Sequence, residues 1–250
     1  MKAIFLGTNG WYDTKLGNTI STLIETKDYF IILDAGNGIY KAENYIPDEN
    51  KKEIFMFLSH FHLDHIVGLH ILNKFSKKFP NLKIYIPKGT KEILKNFVNI
   101  PFTLPISDLT YNVEIYEISD GIYNIPFKIE CLSLIHYPFS IGYRIEIDDK
   151  VISYCMDTGI CENAIKLARN SELLISECSF KSNQRNPNWP HLNPEDAATI
   201  AKEAQSKNLI LTHFDAAIYK TMEERKEAEK IARKIFKNTF SAYDEMIVEI

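Results

Sequence analysis

The chain of 250 residues has no CxxC pair. Its four cysteines, Cys131, Cys155, Cys161 and Cys178, are single residues. Paired-thiol zinc sites are therefore excluded, and free thiols in a reducing, cytoplasmic setting are expected. Long apolar runs are also missing. No window approaches roughly 18 successive apolar residues, so no membrane-spanning helix is expected. The opening MKAIFLGTNGW has no extended apolar core and no small-residue cleavage site, and no secretory leader is read in it. Basic charge is in short supply: 29 Lys and Arg stand against 33 Asp and Glu, for a net charge of −4. Proteins that track long nucleic acids leave a basic footprint, and the total charge shows none. There is no low-complexity segment and no obvious linker. A chain of this length buries a large core without disulfides or structural metal, and residues 1–250 are read as a single domain.

Histidine is scarce as well, at seven residues, yet three fall in one stretch, SHFHLDH at 59–65. The surrounding pattern shows where that stretch sits. KAIFLG reads as a short strand. TISTLIE and YFIILDAG flank the polar turn TKD as a hairpin, and the apolar run Ile31, Ile32, Leu33 marks a strand buried on both faces. KKEIFMFLS is a further strand, and its end delivers His60. Helices are expected at GNGIYKAENYI, VGLHILNKFSKKF and TKEILKNFV, with a strand LKIYIP before the last. The second half repeats the style. Strands are expected at VEIYEI, FKIECLSLI, IGYRIEID, KVISYCMD and NLILTH, and helices at ENAIKLARN, PEDAATIAKEAQ and MEERKEAEKIARKIF. Alternating strands and helices of this kind predict a layered α/β fold, two sheets with helices outside.

Metal-type residues recur where apolar strands end: His60 after FMFLS, Asp157 after ISYCM, His213 after LILT. Rigid scaffolds collect functional residues on such loops. Imidazole and carboxylate donors suit zinc, manganese and iron alike. His60 and His62 are two apart and point the same way in an extended segment, while Asp64 and His65 can address a second ion. Taken singly, His136, His213 and Asp157 read better as a strand histidine, a strand-end cap and a turn residue. His70 follows the helical pattern and reads as structural.

HFHLDH resembles the HxHxDH signature of the metallo-β-lactamase superfamily. FLGTNGW, ILDAGNG, LIHYPFSIGYRIE, SYCMDTG and LILTHFD resemble its other motifs in order, closest to the ribonuclease Z-like and small cyclic phosphodiesterase branch. The resemblance implies a four-layer αββα sandwich and two divalent metal ions. One ion would take His60, His62 and His136, the other Asp64, His65 and His213, with Asp157 bridging. It further implies a metal-bridging hydroxide as nucleophile, with two ions about 3.5–4 Å apart to hold the attacking and leaving oxygens. Asp34 would support the metal loop from outside. His191, just before the helix start Asn193-Pro194, matches a histidine that holds the scissile phosphate or protonates the leaving oxygen. It is placed with Asp64 among the catalytic residues. Glu177 would orient it.

Between His136 and Asp157 lie too few residues for the Gly/Pro-containing arm with which ribonuclease Z grips transfer RNA. The expected substrate is therefore a small or cyclic phosphodiester, such as phosphoribosyl cyclic phosphate or a cyclic nucleotide, with RNA second. The phosphonate-pathway relatives carry a cysteine-containing zinc site near the N-terminus, and no cysteine precedes Cys131 here. An ester, thioester or lactam hydrolase and a non-catalytic metal-binding protein are the remaining classes. Relatives of this kind are often dimers, so a homodimer stays open.

Overall fold

The computed structural model describes residues 1–250. Two seven-stranded sheets pack face to face. In spatial order the first contains Met246–Glu249, Lys2–Gly7, Ser21–Glu25, Tyr29–Leu33, Glu53–Phe57, Asn81–Pro87 and Asn112–Ile118. The second contains Thr239–Ser241, Leu209–Thr212, Leu173–Glu177, Lys150–Cys155, Ser140–Ile147, Lys128–Leu134 and Gly121–Asn124.

Strand alternation builds the layers. Ile31 and Leu33 point inward and join Phe55, Phe57, Tyr143, Ile145, Ile152 and Ile175 in the core between the sheets. Phe30 and Ile32 point outward, into a second core with Leu69, Leu72, Phe75 and Leu94. Leu174, Leu209 and Leu211 of the other sheet cover Leu167, Ala197, Ile200 and Ala228 in a third. Three cores between four layers are the αββα arrangement, and the double burial of the Ile31–Leu33 run is observed.

Two expectations need correction. GNGIYKAENYI and VGLHILNKFSKKF form 3-10 helices, Asn37–Asn44 and Val67–Phe75, rather than α-helices. Their entry amides are already taken: Gly36 N–H donates to the Ile20 carbonyl, Gly38 N–H to Thr19 and Gly68 N–H to Ala35. The first amides of a helix have no partner within it, and here neighbouring backbone carbonyls supply one. Several strands are short enough to escape pattern reading, among them Gly121–Asn124, Thr239–Ser241 and Met246–Glu249. A third, two-stranded sheet pairs Asn9–Gly10 with Phe214–Asp215 in parallel beside the strand ends.

The hairpin expected around Asp149 is present: Ser140–Ile147 and Lys150–Cys155 pair antiparallel. Asp148 and Asp149 both have positive φ, 50° and 58°, as the tight hairpin turn with matching twist requires. The Asn193 cap is present too. Its Oδ1 accepts from the Asp196 N–H at 2.9 Å, with Pro194 in the first turn of Pro194–Glu203.

Candidate metal centre

The strand ends converge between the two sheets. Glu53–Phe57 runs out into Ser59 and His60, and His62 caps the short helix Leu63–Ile66 that carries Asp64 and His65. Lys150–Cys155 delivers Asp157 and Leu209–Thr212 delivers His213. His136 follows Lys128–Leu134. The sheets are stitched together here. Ile141 N–H donates to the Ser59 carbonyl at 3.0 Å, and the Tyr143 hydroxyl to the Leu58 carbonyl at 2.5 Å.

Five of the seven histidines and two aspartates form one cluster, in the two sets expected, and His191 adjoins it beside Asp157 and His213. Donor atoms of His60, His62, His136 and Asp157 lie within 4.8 Å of one another, and so do those of Asp64, His65 and His213. Asp157 divides its carboxylate between the sets. Oδ2 is 3.5 Å from His60 Nε2 and 3.4 Å from His136 Nε2, while Oδ1 is 3.3 Å from His65 Nε2 and 3.1 Å from His213 Nε2. Asp64 Oδ2 is 3.3 Å from His213 Nε2. His65 and His213 face each other Nε2 to Nε2 at 3.0 Å. Asp157 is 2% exposed and its Oδ1 has no hydrogen-bond partner. A buried carboxylate oxygen left without a partner among converging imidazole nitrogens suits a cation. His70 stays outside the cluster, with its Nδ1 bonded to the Val67 carbonyl.

The imidazoles are aimed by partners on their far nitrogens. His65 Nδ1 donates to Asp34 Oδ2 at 2.8 Å, and His136 Nδ1 to the Pro190 carbonyl at 3.2 Å. His60 Nδ1 contacts Ser59 Oγ and His213 Nδ1 contacts Ser179 Oγ, both at 3.0 Å. Each serine donates onward to a fully buried acid: Ser59 to Asp34 at 2.8 Å, Ser179 to Glu177 at 2.7 Å. Two acid–serine–histidine relays thus hold the two halves. Such outer partners fix the ring tautomer and leave Nε2 free to bind metal. The resemblance pointed to Asp34 and Glu177. Ser59 and Ser179 were missed, although Ser59 immediately precedes the HxHxDH stretch.

Glu177 does double service. Its Oε1 accepts from His191 Nδ1 at 2.8 Å and from Thr158 N–H at 2.6 Å. His191 lines the cavity of about 680 Å³ above the cluster, together with Asp157, Asp64 and His62. Burial opposes its charged form, but the adjoining Glu177 carboxylate outweighs that and pushes the imidazole up to about 9. The cluster histidines divide. Burial, aided by neighbouring imidazoles, pushes His60, His62 and His136 down. Burial also opposes charge on His65 and His213, yet Asp157 and the other acids hold both up. Asp64 and Asp157 are held below the usual carboxylate range against burial, by the surrounding histidines. Ionised carboxylates and neutral imidazoles are the forms that bind metal.

Backbone strain collects here. Asp34, Asp157 and His213 have φ of 57°, 40° and 51°, a region non-glycine residues rarely adopt. Gly10 lies against the His213 ring. A Cβ there would meet His213 Cε1 at 2.6 Å, so only glycine fits.

Residues 29–214 match the family model described as Beta-lactamase superfamily domain. The chain belongs to this superfamily, and fold and site together define a metal-dependent hydrolase of the metallo-β-lactamase fold. Its relatives are more particular. It is 26% identical to ribonuclease Z of Bacillus velezensis, with 100% of this chain and 99% of the relative covered. It is 29% identical to the probable metallo-hydrolase YhfI of Bacillus subtilis, with 86% and 87% covered. The crystal structure of YhfI superposes with a TM-score of 0.83 at 26% identity, covering 100% of this chain and 99% of YhfI. Human tRNase Z, short form, shares the fold with a TM-score of 0.77 at 21% identity, covering 100% and 99%. The ribonuclease Z alignment runs over 310 residues, so at least 60 of its positions (310 − 250) have no counterpart here. No helix is long and apolar enough to cross a membrane.

Proposed function

We propose that this chain is a binuclear metal-dependent phosphodiesterase acting on small or cyclic phosphodiesters. His60, His62 and His136 would hold one ion and Asp64, His65 and His213 the other, with Asp157 between them. Bound divalent ions of the zinc, manganese or iron kind supply Lewis acidity and a water acidified to a pKa of about 7. The chain's own residues do the rest. Asp34 and Ser59, and Glu177 and Ser179, orient the imidazoles. Glu177 holds Nδ1 of His191 and keeps the ring protonated. The other ring nitrogen is left to hydrogen-bond a phosphoryl oxygen or to give its proton to the departing alkoxide.

The observation that carries this reading is the Glu177–His191 pair in the wall of the cavity above the His/Asp cluster. A phosphodiester needs both charge stabilisation and a proton for its leaving group. Phosphoryl chemistry also fits the ribonuclease Z names among the relatives.

Small substrates are favoured by the hairpin between His136 and Asp157, which closes through Asp148 and Asp149 with no arm. No lysine or arginine lines the cavity, whereas RNA binding rests on neutralising many phosphates. The ribonuclease Z relatives keep RNA cleavage as the second reading.

A panel on protein reconstituted with manganese or zinc tests both. Bis-p-nitrophenyl phosphate and at least one cyclic nucleotide or phosphoribosyl cyclic phosphate are expected to turn over, and a chromogenic lactam is not. Precursor transfer RNA cleaved with the higher kcat/KM would hand the case to the second reading. Activity on the lactam alone would sink both.

The relays make a separate prediction. Ser179→Ala removes the hydroxyl shared by His213 and Glu177. Competition with a chelating dye should show metal affinity lower by about 10- to 100-fold, the range for outer-partner changes. Unchanged affinity would mean that Ser179 plays no part in aiming His213.

A further inference from the structure

The chain has two tryptophans, and both stand in the wall of the cavity above the cluster. Trp189 lies stacked on His62, with ring centroids 5.4 Å apart and planes 17° apart, and edge-on to His136 at 5.6 Å. It is still 43% exposed. Trp11 borders the other half. Its backbone N–H donates to Asp64 Oδ2 at 2.6 Å, and its side chain is 67% exposed. Its φ is 73°, an outlier for a bulky residue. Strain of this kind persists where the surroundings impose it, and it gathers at functional sites. Folding gains little from a strained tryptophan left in solvent, so the reason for it lies in the cavity.

The rest of the lining has a definite chemistry. It contains Asp64, Asp157 and Asp215 and no lysine or arginine. His191 is given to the reacting phosphate and Asp64 and Asp157 to the metal ions, so a second phosphate would meet Asp215 and find no lysine or arginine. A flat uncharged ring would meet two indoles. Bases stack on such side chains whatever their sequence, because every base presents a π face. The volume of about 680 Å³ suits one small ligand.

We propose that Trp11 and Trp189 form an aromatic subsite for a nucleobase, so that the preferred substrate is a singly charged nucleoside phosphodiester rather than a sugar-only or multiply charged one. The choice of reaction rests on the phosphodiesterase reading above; the subsite does not.

Two substrates with the same leaving group separate these points. Thymidine 5′-(p-nitrophenyl phosphate) and methyl p-nitrophenyl phosphate differ only in the nucleoside. With zinc-loaded protein, kcat/KM should favour the nucleoside ester by at least about tenfold. Trp11→Ala and Trp189→Ala should each lower that ratio by about 5- to 100-fold, mainly through KM, as loss of a stacking partner does. Trp189→Phe should restore most of it. Because no other tryptophan emits, binding can be read without turnover. Adenosine 5′-monophosphate should quench the intrinsic fluorescence, ribose 5-phosphate should not, and the quench should shrink in either alanine variant. A substrate ratio that stays the same in the variants, or an equal response to the two phosphates, overturns the subsite. An adenosine-specific quench with neither ester hydrolysed supports the subsite and removes the phosphodiesterase reading instead.

Discussion

Asp157→Asn is expected to abolish turnover. Asparagine keeps the shape of the side chain and removes its charge. It also sets an N–H₂ donor among imidazole nitrogens that sit 3.1–3.5 Å from the carboxylate oxygens. Water cannot replace the lost charge, and Asp157 is the acid whose two oxygens face both halves. The fall in kcat/KM on bis-p-nitrophenyl phosphate should exceed the roughly 100-fold that outer partners cost. Metal content by elemental analysis should drop with it. His60→Ala should behave alike, since His60 Nε2 belongs to the set that faces Oδ2. Turnover within about tenfold of wild type, with metal content unchanged, would contradict the bridging role.

His191→Ala is expected to cost kcat according to the leaving group. General acid catalysis contributes about 10²–10⁴-fold, and only a poor leaving group needs it. On a cyclic nucleotide, which expels an alkoxide, the full loss should appear. On bis-p-nitrophenyl phosphate, whose phenolate leaves unaided, the loss should be much smaller. Glu177→Gln keeps the contact to His191 Nδ1 but removes the charge that favours the imidazolium, and should fall between wild type and His191→Ala. Equal losses on both substrates would make His191 a stabiliser of phosphoryl charge rather than a proton donor. Unchanged cyclic-nucleotide turnover would remove His191 from the reaction, and with it the observation that sets this site apart from ester, thioester or lactam hydrolases.

The pattern of apolar residues was enough to expect a layered α/β fold, because a strand apolar on both faces must be covered on both: Ile31 and Leu33 to one side, Phe30 and Ile32 to the other. The 3-10 helices at Asn37–Asn44 and Val67–Phe75 were not legible. Apolar spacing marks a helical face but does not separate a 3-10 from an α-helix, and the entry amides Gly36, Gly38 and Gly68 bond to backbone brought alongside by the fold. The strands Thr239–Ser241 and Met246–Glu249 were missed for a related reason. They are too short to show a period, and they pair with strands far away in the chain.

The site divides in the same way. SHFHLDH announced metal chemistry by itself, since four donor-type residues in seven have few other uses. The motif order brought in His136, Asp157 and His213. The donor-type residues were legible in the sequence, because donor chemistry belongs to residue type and the residues stand where apolar strands end. Only the tertiary structure decided how they are aimed. It set Asp157 between the two halves and placed Ser59 and Ser179 under His60 and His213. It lodged Gly10 against the His213 ring and stood Trp11 and Trp189 over opposite halves of the cavity. These are distances between segments up to about two hundred residues apart, and packing of the two sheets creates them.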